Sequence, residues 1–353
     1  LAKGSVYKYA LFEKLIKQIE ESELDIAQPV LLQGFLHEIH EQDISVFREM
    51  IEVISRERKL APHVVYLLCA SPLEAWGVIK LIELAKSGRL ESWRFTHISL
   101  GRIHEKISDD SLVELLETLI DLDGGLISVF QILEMRFFID HDSSYVPADR
   151  LLAFGRLAFL RMLAMHRDEI RQISSGGLKR IAKLCLSISA PLADIAKIVS
   201  LICDGVTNYR LYSSEITDIT SVLIKNYPEI FLSHVFRGDE DDVLAYQIFR
   251  DRGYGVKTSS LNKVPIEKLI DWCGTDQNRL KQLGSVVGIY LAVEPANGPM
   301  ENPSRVELSP HIKAILEVAD DKAQIVDIIY ARARPSGWSG SLAEILEVRA
   351  RAF

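Results

Sequence analysis

The side chains able to ligate, attack or carry protons are scattered along this chain, and none falls into a spacing that performs a known chemistry. His37 and His40 stand three residues apart with Glu41 adjacent. The HExxH zinc helix instead needs its histidines four apart, with a glutamate directly after the first. Asp140, His141 and Asp142 offer three ligands in a polar stretch, with nothing nearby to complete a metal site. Gly253, Gly255, Lys257 and Thr258 suggest a phosphate loop, but no glycine directly precedes the lysine and the flanks have helical periodicity. A turn between helices accounts for them better. No Gly-x-Ser-x-Gly occurs, and Cys69, Cys185, Cys203 and Cys273 lie far apart in apolar settings, without a CxxC pair. Carboxylates recur at helical spacing, as in any helical protein. The expectation is a segment without catalytic residues, metal or cofactor.

Charge gives a second kind of lead. The 353 residues carry 41 basic and 49 acidic side chains, a formal net charge of -8. That balance argues against general nucleic-acid binding, which draws on a basic excess. One local asymmetry runs the other way. Between Arg150 and Lys183 basic residues predominate, and Arg161, His166, Arg167 and Arg171 could line an outward ridge for an anionic partner. A solvated helix face is the competing explanation. The stretch from Glu105 to Asp123 has the opposite bias.

The elements that must position these residues are helices. Phe12, Leu15, Ile16 and Ile19 share one face, as do Leu112, Leu115, Leu116 and Leu119, and Leu151, Phe154, Leu157, Ala158 and Met162. Alternation fit for a strand is confined to 94–100 and 288–293, and both could be helical. Helix starts are expected at Ser71-Pro72, Pro191, Pro228, Pro265 and Ser309-Pro310, with capping boxes at Ser111/Glu114 and Ser341/Glu344. Gly124-Gly125 should break a helix and turn the chain. The acidic run from Asp239 to Asp242 should favour the N-terminus of the helix that follows.

These starts give about sixteen to eighteen helices, with pairs recurring roughly every 40 residues. The expected fold is therefore all-α, a HEAT-like or TPR-like α-solenoid of about eight irregular helix pairs, with a compact bundle as the alternative. Helical repeats are expected over 1–146 and 147–293, then a Pro/Gly/Asn-rich loop at 294–305 and further repeats over 306–353. No apolar run reaches the roughly 18 residues of a membrane span. The unclustered cysteines point to a reducing, cytoplasmic setting. A first residue other than Met, and a helical pattern running to Phe353, suggest part of a longer chain.

Three segments carry a resemblance. The first runs from Gly101 to Leu116 and continues through Gly124-Gly125 to Arg136. The second is 264–273, ending in Trp272-Cys273, and the third is 334–341, around Trp338. In order and texture they resemble the C-terminal helical sensor region of large bacterial STAND-type (AVAST-like) antiphage NTPases. The resemblance implies a sensor that follows an effector and an ATPase, recognises a phage structural or packaging protein such as terminase or portal, and thereby drives oligomerisation of the parent. It transfers no contact residue. Trp272 and Cys273 are expected to pack against the next repeat, and Trp338 to staple a helix entry. The alternatives are a cytoplasmic scaffold or adaptor, and a helical enzyme acting through carboxylates.

Overall fold

The computed structural model describes residues 5–21, 29–101, 103–138, 145–173, 175–237, 242–249, 259–288, 290–293 and 305–332. Its helices are α1 (Ser5–Glu21), α2 (Val30–Gln42), α3 (Ile44–Ile54), α4 (Val64–Leu68), α5 (Ala75–Lys86), α6 (Asp109–Leu119), α7 (Gly125–Arg136), α8 (Asp149–Ala164), α9 (Arg167–Ile170) and α10 (Ser175–Cys185). They continue with α11 (Leu192–Thr207), α12 (Ser213–Asn226), α13 (Pro228–Val235), α14 (Asp242–Phe249), α15 (Ile266–Cys273), α16 (Gln277–Val286), α17 (Pro310–Val318) and α18 (Lys322–Arg332). Strands β1 (Tyr290–Val293) and β2 (Arg305–Leu308) pair antiparallel, Tyr290 opposite Leu308 and Val293 opposite Arg305. The fold is all-α apart from this one hairpin among the described residues.

The chain divides into two compact units. One comprises Leu1–Met162 and Arg171–Cys185, the other Leu163–Ile170 and Leu186–Phe353. The sequence division at 146/147 lies inside the first.

In the first unit helices pack on sequence neighbours, as α2 on α3, α3 on α4 and α6 on α7, and on elements two or three further along. The series α2, α4, the 3-10 helix Ser92–Ser99, α7 and α10 forms one such run. In the other layer, Tyr9 of α1 bonds to Glu49 of α3 at 2.5 Å, Lys80 of α5 meets Glu52 of α3 at 2.7 Å, and α5 packs on α6. The second unit follows the same rule: α11, α13, α15 and α17 pack in succession, as do α12, α14, α16 and α18. Cross-element hydrogen bonds accordingly join residues a few dozen apart. Asn226 donates to the Leu186 carbonyl, 40 residues away, and Asn262 to Ser309, 47 away.

Local sequence explains most boundaries. Asp43 caps α3 by accepting from the amides of Ser45 and Val46, and Phe47, Met50, Ile51 and Ile54 form its buried stripe. Ser309 caps α17 with Pro310 at its first position, Pro228 opens α13, and Pro191 and Pro265 immediately precede α11 and α15. Gly124 sits at φ 64°, in the left-handed region, where α7 begins. A Cβ on Gly125 would lie 1.8 Å from the Leu119 carbonyl oxygen, so the pair forms a turn that side chains would block.

Several boundaries differ from the sequence expectation. Ser71 does not cap a helix: α5 starts at Ala75, while Ser71 is buried with its hydroxyl 3.1 Å from His37 Nδ1. Ser108, not Ser111, caps α6, accepting from the Ser111 amide at 3.2 Å. Leu157 falls outside the buried stripe of α8 and is exposed. Residues 94–100 lie mostly within a 3-10 helix; Ser92, Phe95 and Ile98 are buried at intervals of three, the period of that helix and not the two of a strand. Of 288–293, by contrast, the last four residues form β1.

Candidate partner-binding surfaces

The basic run and the acidic run meet. Asp110, Glu114, Glu117 and Asp121 recur at helical spacing along α6 and just beyond it, opposite α8. Arg150 lies 3.4 Å from Asp110, 3.9 Å from Glu114 and 3.5 Å from Glu117, and Arg161 is 3.6 Å from Asp121. Exposed pairs of this kind contribute about 0–1 kcal/mol each, and with two arginines against four carboxylates the seam stays net acidic. Arg161 is thus largely answered by a neighbouring helix.

The rest of the expected ridge is divided. His166 and Arg167 belong to the second unit, Arg161 and Arg171 to the first. His166 is exposed, 3.7 Å from Asp168. Arg171 is exposed and engaged in further interactions. Arg167 is half-buried: its Nε lies 2.9 Å from Glu215 and its guanidinium 3.6 Å from the centroid of Tyr212. Glu215 also accepts from the Tyr212 amide at 3.0 Å, so Arg167 is tied to the cap that starts α12. Next to it, Tyr209 holds φ 55°, in the left-handed region at the end of α11, while its side chain is 66% exposed.

Trp272 and Cys273 are buried. Trp272 Nε1 donates to Ser233 Oγ at 3.0 Å, and its ring centroid lies 5.4 Å from that of Phe236. These contacts reach back to the α13 region. Within its own pair, Arg279 of α16 stacks 4.8 Å from the ring and donates to the Trp272 carbonyl at 2.6 Å. All four cysteines are buried and free, and burial pushes each thiol up to about 12. Thiols this far from thiolate are poor nucleophiles. Trp338, Asp140–Asp142, Gly253–Thr258, Asp239–Asp241 and the loop 294–304 lie outside the described residues.

His37 and His40 do not converge. His37 Nδ1 lies 3.0 Å from the Ala70 carbonyl, which can only accept, so that nitrogen carries the proton. His40 packs edge-on against Phe47, centroids 5.1 Å apart. Among the described residues no three His, Cys, Asp or Glu side chains are grouped to hold a metal ion.

The densest polar cluster was not legible in the sequence. Arg136, at the end of α7, is 8% exposed and Asp109, at the start of α6, 10%. Asp109 Oδ1 accepts from Arg136 Nε at 3.1 Å and Nη2 at 2.6 Å, and from the Tyr145 hydroxyl at 2.7 Å. Its Oδ2 accepts from the Ala148 amide at 2.7 Å. Arg136 also donates to the carbonyls of His104 at 2.8 Å and Ile107 at 2.9 Å. Burial raises the Asp109 pKa, but the Ala148 amide, the Tyr145 hydroxyl and Arg136 outweigh it and hold the carboxyl below its ordinary range. With its partners inside the protein, this cluster fastens the entry to α8 onto α6 and α7.

A groove of about 680 Å³ opens between the 3-10 helix and α7, lined by Trp93, Thr96, Leu122, Ile127, Gln131 and Gln172. Trp93 is 52% exposed, with Arg94 stacked 4.5 Å from its ring and its Nε1 donating to Glu91 at 2.9 Å. A rigid aromatic beside side-chain amides is the composition of an interface anchor. The sequence signal was an aromatic residue flanked by Glu91 and Arg94, which period counting passes over. No helix among the described residues is long and apolar enough to cross a membrane. No family model, curated protein or solved structure matches the chain.

Proposed function

We propose that this chain is a helical-repeat array of HEAT-like type that recognises a protein, serving as the sensor part of an antiphage NTPase whose ligand is a phage structural or packaging protein. The observation that carries the recognition role is the packing pattern: in each unit helices meet sequence neighbours and elements two or three further on. Repeats stacked in this way bury a continuous core and leave side chains of successive helices in register on the surface, where many modest contacts add up to affinity. The antiphage role is supported by the sequence resemblance alone. The role proposed for the chain itself is binding; catalysis would belong to other parts of the parent. Trp93 and its groove are the proposed contact point.

The test is a pull-down with the purified chain from phage-infected and uninfected bacterial lysates, identified by mass spectrometry. Enrichment of one viral structural or packaging protein, reduced by Trp93→Ala, is the expected result. A host protein captured equally from both lysates would replace the sensor role by a scaffold role. Capture unchanged by Trp93→Ala would move the contact elsewhere.

A further inference from the structure

A second groove, of about 580 Å³, lies between α1 and α3. On α1 its lining comprises Tyr9, Phe12, Glu13, Ile16, Lys17, Glu20 and Glu21; on and just after α3 it comprises Glu49, Met50, Val53 and Glu57. The α1 positions recur at three and four residues, a single stripe over just more than three turns and about 18 Å long. Glu49 and Val53 stand four apart on α3, and Glu57 lies just beyond its end. Two helical stripes flanking a trough are the geometry that accepts a third helix, its ridge seated between theirs.

The chemistry of the trough selects that helix. Ile16, half-buried, and Val53, exposed, supply its accessible apolar surface, over the buried Phe12 and Met50. Around them stand five carboxylates, Glu13, Glu20, Glu21, Glu49 and Glu57, against Lys17 in the lining and Lys59, which donates to the Glu20 carbonyl. Lys17 is already paired with Glu21 at 3.7 Å. The crowding is tight enough that Glu57 is raised above the ordinary carboxylate range, chiefly by its hydrogen bond with Glu20, then by burial and by the charge of Glu20. A ligand bringing positive charge would relieve that repulsion, whereas an acidic or neutral helix would not.

We propose that the α1–α3 groove binds a basic amphipathic helix of a partner protein, leucine-like side chains on Ile16 and Val53 and lysines or arginines against the glutamate rims. This rests on the chain being a protein-recognition segment, and it assigns one surface and one partner chemistry.

The experiment is fluorescence anisotropy with the full chain and a labelled 18-residue helical peptide, leucines at i, i+3, i+4 and i+7 and lysines on the flanks. Its counterpart has glutamates in place of the lysines. The lysine peptide binds saturably and the glutamate peptide does not. Binding weakens at least tenfold in the E13K/E57K double variant but not in E267K/E317K, which makes the same change of net charge in the second unit. Equal loss in both variants would mean that only overall charge attracts the peptide, and would overturn the proposal. A benzophenone at the peptide centre provides a readout independent of variant folding: cross-links must fall on α1 or α3, and cross-links elsewhere overturn the assignment. Peptide failure with intact capture of a lysate partner removes this groove alone. Specific peptide binding without any such capture keeps the groove and removes the sensor role.

Discussion

Replacing Asp109 by alanine removes the acceptor of four hydrogen bonds, from Arg136 Nε and Nη2, the Tyr145 hydroxyl and the Ala148 amide. It also leaves the Arg136 guanidinium, 8% exposed, without its counter-charge. Breaking a buried ion pair from one side costs about 3–5 kcal/mol. The lower end applies here, about 3 kcal/mol, because the carbonyls of His104 and Ile107 still accept from Arg136. Arg136→Met should cost less, about 2 kcal/mol, since Asp109 keeps the Tyr145 and Ala148 donors and the favourable start of α6. The double variant should cost less than the two singles together, by a coupling of about 1.5 kcal/mol. Urea titrations followed by far-UV circular dichroism measure the ledger, and hydrogen exchange across 103–112 and 145–156 shows whether the loss is local. The gap between wild type and Asp109→Ala is full above the ordinary aspartate range, because the folded carboxyl is held below it. That gap closes as pH falls through the lowered folded value. Costs that add without coupling, or a gap that persists in acid, would refute the picture of one satisfied buried network.

Three other perturbations follow from the geometry. Tyr209→Gly should stabilise the second unit by about 1 kcal/mol, since a side chain at positive φ costs about that much and this ring is exposed; a lowered melting midpoint would show the ring to be packed. Gly125→Ala should destabilise the first unit by about 2–3 kcal/mol through collision with the Leu119 carbonyl, measured by the same titration. Burial first, and then Arg94, lowers the pKa of both His63 and His97, so the unfolded chain takes up protons before the folded one. Stability should be full above the ordinary histidine value of 6.5 and fall as pH drops below it. His97→Gln should flatten that slope in melts between pH 7.5 and 5, and an unchanged slope would exclude His97 as its source.

Features held within a turn or two of chain could be read from sequence, and features depending on more distant partners could not. The Ser309-Pro310 start, the Gly124-Gly125 turn and the Leu112–Leu119 stripe are local patterns, and the structure keeps them. Ser71 looks like a cap to its own neighbours, but His37, 34 residues earlier, draws its hydroxyl inward. Likewise Arg150 and Arg161 look like a free basic face until α6 supplies Asp110, Glu114 and Glu117, and the turn after it Asp121. The Asp109–Arg136–Tyr145 cluster escaped for the same reason. Its members are spaced by 27 and 9 residues, which no helical period records.

The packing of helices on elements one to three places away bears on how the chain is made. Partners arrive in the order in which they leave the ribosome. With Tyr9 and Glu49, or Asn226 and Leu186, 40 residues apart, the second member of a contact follows the first after about four seconds at a synthesis rate of about 10 residues per second. An apolar stripe such as that of α3 therefore waits only seconds for its cover. Such a chain keeps little uncovered hydrophobic surface at any moment of its synthesis.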